Sequence, residues 1–148
     1  MSTSTIVVGV DGSASSVAAV RWAAREAALT GATLHAVTSW TYPASYGWAP
    51  VIENLDWAEN ARTVLDSALK EAFEGADSAG VVRHVAEGHP AQVLLDAADG
   101  ADLLVVGSRG HGGFTGMLLG SVSQFVVSHA RCPVVVTRED TQDALDPA

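Results

Sequence analysis

Five short strand-like runs, separated by stretches with helical periodicity, constrain this chain more than any other feature. Ile6-Val7-Val8-Gly9-Val10 and Leu103-Leu104-Val105-Val106 are apolar continuously rather than alternately. A strand apolar on both sides has to be covered on both sides, the condition met by a parallel sheet between two layers of helices. The remaining strands are expected at Thr33 to Ser39, at Val81 to Ala86 around Arg83 and His84, and at Pro133 to Thr137, with the fourth reaching from Ala101 to Val106. Strands alternating with helices give an α/β fold: one open sheet of five parallel strands with helices on both faces.

The helices have legible ends. In the first, Val17, Val20, Ala24, Ala27 and Ala28 recur at helical spacing, Ser13 or Ser16 supplies a cap, and Gly31 stops the run. A second pattern extends from about Glu53 to Phe73, with Leu55, Ala58, Arg62, Leu65 and Leu69 on one side and Gly75 beyond. Pro90 suits the first turn of a third helix carrying Val93, Leu94 and Ala97. A fourth is expected from Ser121 to His129. Residues 41 to 52, with Pro43, Gly47, Pro50, Tyr42, Tyr46 and Trp48, read as an ordered loop. Nothing splits the chain, so residues 1–138 form one domain, followed by an acidic, frayed tail from Glu139 to Ala148.

Composition removes several classes of function. Cys132 is the only cysteine, which excludes an intramolecular disulfide framework and a cysteine-based zinc site, and agrees with a reducing compartment. The N-terminus has no basic region and no apolar stretch approaches a membrane span, so a cytoplasmic protein without membrane contact is expected. A net charge of −9, with Lys70 the sole lysine, leaves no basic face for nucleic acid. A single nucleotide is still compatible with this charge, because backbone N–H groups, a helix N-terminus and a metal can carry the binding.

Six of the 14 glycines lie between Gly107 and Gly120. They follow a buried strand and precede a helix, where open α/β sheets bind ligands. Glycines there let an anion approach peptide N–H groups closely. Ser121 is placed to cap the helix, with Gln124 completing a capping box, and Arg109 is the cation inside the segment. No G-x-x-x-x-G-K-[ST] is present and no G-x-G-x-x-G follows the first strand, which excludes the Walker and dinucleotide fingerprints.

The spacing present is Gly107-x2-Gly110-x9-Gly120-Ser121. It resembles the ATP-binding signature of the universal stress protein family, G-x2-G-x9-G-[ST]. Chance alone would place these four fixed positions in roughly 0.5% of chains. The resemblance extends to Ile6-Val7-Val8-Gly9-Val10-Asp11-Gly12-Ser13, to Leu34-His35-Ala36-Val37 and to Cys132-Pro133-Val134-Val135-Val136, and so to nearly the whole chain.

That resemblance implies the sheet order 3-2-1-4-5 of the adenine nucleotide alpha-hydrolase-like fold, and homodimers joined through Pro133 to Thr137. It implies ATP, with Mg²⁺, as the ligand. Gly9 and Asp11 would sit by the nucleotide, Asp11 contacting ribose or metal-bound water, and Val37 would present its backbone to adenine. Gly107, Ser108, Arg109, Gly110, His111, Gly112 and Gly113 would wrap ribose and phosphates. Gly120, Ser121 and Val122 would hold phosphates, and Met117 would line the same site. The apolar run Val134 to Val136 independently suggests a partner, since it would otherwise form an unpaired apolar edge.

No catalytic base or positioned nucleophile stands beside the expected phosphates. The reading is therefore a nucleotide-dependent stress-response or signalling protein with little or no turnover. The alternatives are a slow ATPase or adenylate-processing enzyme, or a dimeric module indifferent to nucleotide. His35, His84, His89 and His129 show no ligand spacing and are read as structural, and Cys132 as a thiol without catalytic partners. Trp22 is expected in the core. Trp40, Trp48 and Trp57, with Tyr42 and Tyr46, are open to two readings, a partner surface or packing over the sheet.

Overall fold

The computed structural model describes residues 4–41, 56–109 and 119–138. Among the described residues, the elements follow one another as β1 (Thr5–Gly9), α1 (Ala14–Thr30), β2 (Thr33–Trp40), α2 (Trp57–Phe73), β3 (Val82–Glu87), α3 (Pro90–Ala98), β4 (Leu103–Gly107), α4 (Ser121–His129) and β5 (Val134–Thr137). The five strands form one sheet in the order β3-β2-β1-β4-β5, every neighbouring pair parallel. Both the strand count and the order agree with expectation.

The continuous apolar strands divide their side chains between two cores. Ile6, Val8, Leu34, Ala36 and Val105 face α1 and α2, meeting Val17, Val20, Ala23, Leu65 and Leu69. Val7, Val37, Leu104 and Val106 face the other layer, meeting Ala91 and Leu94 of α3 and Val126 of α4. Trp22 packs against the first of these cores, as expected.

Local chemistry explains the ends of the helices. Ser13 is the N-cap of α1, its hydroxyl accepting from the Ser16 N–H, and Gly31 closes the helix in the left-handed conformation. The second helix is capped by Asp56, which accepts from the Glu59 N–H at 2.9 Å. It thus begins at Trp57 rather than near Glu53, which lies outside the described residues together with Leu55. Its buried residues are Ala61, Leu65, Ala68 and Leu69, whereas Arg62 is exposed. The buried stripe is therefore turned from the one expected: Ala61, Leu65, Ala68 and Leu69 form the i, i+4, i+7, i+8 row that meets the sheet.

A second correction concerns α4. Its N-cap is Gly120, not Ser121, and among the described residues no side chain caps it. Ser121 is the first helical residue. The Gln124 amide reaches back to the Leu119 carbonyl at 2.8 Å, so the expected capping box does not form. At the strands, β1, β3, β4 and β5 each depart by one or two residues from the expected limits, and β2 extends to Trp40. The aromatic loop residues Tyr42, Tyr46 and Trp48 and the tail from Glu139 lie outside the described residues.

Candidate functional site

Strand order places the candidate site. From β1 the chain proceeds to β2 on one side, while β3 returns through α3 to β4 on the other. The C-terminal ends of β1 and β4 are consequently adjacent strands whose connections leave in opposite directions, the position at which open α/β sheets bind ligands. Three segments meet there: residues 10–13 after β1, Ser108 and Arg109 after β4, and the start of α4.

The turn after β1 is built around Asp11. Its Oδ1 accepts from the Ser13 N–H at 2.9 Å and from the Ser13 hydroxyl at 2.5 Å. Gly12 takes φ 85°, the left-handed conformation that this turn requires. Among the described residues nothing donates to Oδ2 of this exposed carboxylate. At the second strand, the Val37 carbonyl accepts from the Val10 N–H at 2.9 Å, and the Val37 side chain is buried. Its backbone oxygen thus already ties the end of β2 to the β1 turn.

The segment after β4 is held at its base. The Ser108 N–H donates to the Thr137 carbonyl at 2.6 Å, and the Ser108 carbonyl accepts from the Gly120 N–H at 2.6 Å. The buried Ser123 hydroxyl lies 2.8 Å from the Gly107 carbonyl and 3.2 Å from that of Ser108. These bonds bring the end of β4 and the first turn of α4 together across the glycine-rich segment. Ser121 and Val122 open α4 beside this junction. Gly110, His111, Gly112, Gly113 and Met117 lie outside the described residues.

Two glycines of the expected site have a different occupation. A Cβ on Gly107 would stand 2.6 Å from the Ser15 Oγ and 2.7 and 2.8 Å from the carbonyl carbon and oxygen of Ser15. Gly107 is therefore required for the close approach of β4 to the first turn of α1. A Cβ on Gly9 would meet Leu94 at 2.9 Å. Both glycines sit at the sheet edge beside the site, yet their missing side chains face protein.

Sequence reasoning missed Ser15 and Ser123. Each is a buried serine in a helical first turn, and each bonds to backbone at the base of the glycine-rich segment. No local signal marked them, since a serine in a first turn ordinarily serves its own helix. His89, expected to be structural, caps α3 by accepting from the Ala91 N–H at 3.2 Å. Cys132 is partly buried, and desolvation pushes its thiol up, as befits an unreactive cysteine.

Beside Val37, a groove of about 530 Å³ runs between α3 and the β2–β3 face, with His35 and His84 on its floor. The rings stack with centroids 5.1 Å apart, and Nδ1 of His35 lies 2.9 Å from Nε2 of His84. Burial, then the neighbouring His84, holds the His35 pKa down; Glu87, Asp96 and Asp99 are the acids of the same groove. A lowered folded-state value means that the unfolded chain takes up the proton more readily. Stability is thus full above the unfolded value of about 6.5 and falls as pH drops through it. Thermal unfolding followed from pH 7.5 to 5.5 should show a declining Tm in the wild type and a shallower decline in His35→Gln. Equal slopes would contradict this.

The comparisons with known proteins accord with this fold. The family model described as the universal stress protein family matches residues 3–138. A universal stress protein of Mycolicibacterium smegmatis is 41% identical over 95% of this chain and 50% of its own length. The chain spans about half the length of the curated relatives it matches. Among solved structures, UspA of Lactobacillus plantarum superposes with a TM-score of 0.74 at 24% identity, covering 93% of this chain and 99% of that one. A universal stress protein solved in complex with cAMP gives a TM-score of 0.65 at 32% identity, covering 93% and 98%. The strand order and these neighbours give the adenine nucleotide alpha-hydrolase-like fold. The five-stranded order, the turn at Asp11 and the near-complete match together show that this chain belongs to the universal stress protein family.

Proposed function

We propose that the chain binds ATP, with Mg²⁺, at the C-terminal edge of β1 and β4, and holds it with little or no turnover as part of a cytoplasmic stress-response or signalling role. One observation carries the reading. Among the described residues, α1, α2 and α3 each have a side chain capping their N-terminus, and α4 has none. That bare N-terminus lies at the base of the glycine-rich segment, beside the Asp11 turn, where an anion would meet backbone N–H groups and the positive end of the helix dipole. The 32% identical relative solved with cAMP supports an adenine nucleotide as the ligand class.

In this reading Asp11 faces ribose or a metal-bound water, Val37 borders adenine, and Ser108, Arg109, Gly120, Ser121 and Val122 surround the phosphates. The remaining expected residues, from Gly110 to Met117, belong to the same proposal. Among the described residues no three His, Cys, Asp or Glu side chains converge on a cation position. A Mg²⁺ ion would therefore take most of its oxygen ligands from phosphates and water, with Asp11 in reach of one water, which suits this cation. When bound, the ion would neutralise phosphate charge. A homodimer through β5 belongs to the proposal as well: it is an edge strand, and Val134, Val135 and Val136 are only partly buried.

Denaturing the purified protein and chromatographing the released small molecules should yield ATP. Incubation with Mg-ATP should give turnover far below the ~10 s⁻¹ of a median enzyme. Rapid, saturable hydrolysis would overturn the holding role and promote the enzyme. Absence of adenine nucleotide from the protein, together with no uptake on incubation, would overturn binding.

A further inference from the structure

The base of the proposed nucleotide site is gripped by an element that contributes to neither end of the glycine-rich segment. Ser15 lies in the first turn of α1 and is 2% exposed. Its hydroxyl donates to the Arg109 carbonyl and accepts from the Arg109 N–H at 3.3 Å, so one side chain engages both backbone groups of one residue. The Ser13 hydroxyl, already on Asp11, lies 3.3 Å from the same Arg109 carbonyl. Behind Ser15, its own carbonyl accepts from the Thr137 hydroxyl at 3.2 Å, and Gly107 packs directly against it. The Ser15 carbonyl is thereby tied to β5, while a separate group, its hydroxyl, engages Arg109.

We infer that Ser15 is a positioning residue for the phosphates: its hydroxyl holds the Arg109 peptide in register with the Asp11 turn and the α4 N-terminus. The inference rests on the nucleotide reading above. The physical reason is that Arg109 immediately precedes Gly110 in the glycine-rich segment and lies beyond the β4–β5 ladder, which ends at Gly107 and Thr137. Two hydrogen bonds from one buried hydroxyl take the place of that ladder. Without them the part-buried Arg109 N–H loses its partner and its C=O keeps only the longer contact to the Ser13 hydroxyl, and the chain leaving β4 relaxes away from a geometry in which displacements of about 1 Å matter to a bound ligand. Val37, placed at adenine, is tied to Val10 rather than to Ser15. Ser15 should therefore govern phosphate recognition rather than binding in general.

The test is a set of titrations of the full chain with ATP and with adenosine, on the wild type, Ser15→Ala and Thr137→Val. Ser15→Ala should weaken ATP by about tenfold while adenosine changes by less than about twofold. Thr137→Val removes a bond to the Ser15 carbonyl without touching Arg109; it should lower Tm and leave both affinities in place. Equal losses for ATP and adenosine in Ser15→Ala, no loss in either, or a Thr137→Val variant that reproduces the ATP-selective loss would overturn the inference while nucleotide binding stands. A wild type that binds neither ligand would overturn the nucleotide reading and the inference with it. If Ser15→Ala does not fold, Ser15→Cys, of similar volume with a weaker hydrogen-bonding group, reads the same ATP-to-adenosine ratio.

Discussion

Gly107→Val should destabilise the protein by about 3 kcal/mol and abolish nucleotide binding, the largest joint effect expected of any single substitution at the sheet edge. The added Cβ would sit within 2.8 Å of the Ser15 backbone carbonyl, and real Cβ atoms do not approach backbone so closely. Relief demands that α1 move off the sheet or that the end of β4 twist away. Either motion breaks the Ser15 bonds to Arg109 and the junction between Ser108 and Gly120. Gly9→Ala supplies the contrast. Its Cβ would meet only the methyl groups of Leu94 at 2.9 and 3.0 Å. A flexible side chain can turn aside where a backbone cannot, so urea unfolding should show a loss below about 1 kcal/mol. If the two variants lose equal stability, the account of Gly107 is wrong.

Leu65→Ala should cost about 3 kcal/mol and lower Tm by on the order of 10 °C, with nucleotide affinity unchanged below the transition. Leu65 is 0% exposed and lies in the core between α2 and the sheet, with Val8, Ala36 and Leu69. Truncation leaves a cavity in a closely packed core that has little freedom to collapse into it. The candidate site draws on α1, α4 and the ends of β1, β2 and β4, and none of its side chains touches this cavity. Thermal unfolding and nucleotide titration on the same variant separate the effects. A loss of affinity below Tm would show that α2 is coupled to the site.

These expectations mark the boundary between what was legible in the sequence and what was not. The strands were legible because burial on both faces writes itself as unbroken apolar runs, as in Ile6 to Val8 and Leu103 to Val106. The sheet order came from the resemblance to a family and not from periodicity, which carries no information on which strands adjoin. The site was legible as a place, since a glycine-rich segment between a buried strand and a helix is a local pattern. Its inner construction was not. Gly107 reads in the sequence as room for a phosphate, and the structure uses it as room for Ser15, far away in the chain. Ser15 and Arg109 stand 94 residues apart, and no spacing announces a hydroxyl that will pair with so remote a peptide.

The α4 terminus shows the same limit at short range. Ser121 and Gln124 have the right spacing for a capping box, and sequence preference favours it. The chain instead caps with Gly120, whose N–H is committed to the Ser108 carbonyl. The helix spans Ser121 to His129 as expected, but its cap stands one residue earlier than the capping box requires, and among the described residues its first turn has no side-chain acceptor. A terminus capped by its own serine would compete with an incoming anion; one without such a cap does not. The same shift that defeats the local expectation strengthens the functional one.

The central claim, that an adenine nucleotide binds where the Asp11 turn, the end of β4 and the α4 terminus meet, is tested most directly by calorimetric titration of nucleotide-free protein with ATP in the presence of Mg²⁺. The expected result is saturable heat with about one site per chain and a Kd on the order of micromolar. No saturable heat up to millimolar ATP, with protein whose unfolding remains cooperative, would contradict it.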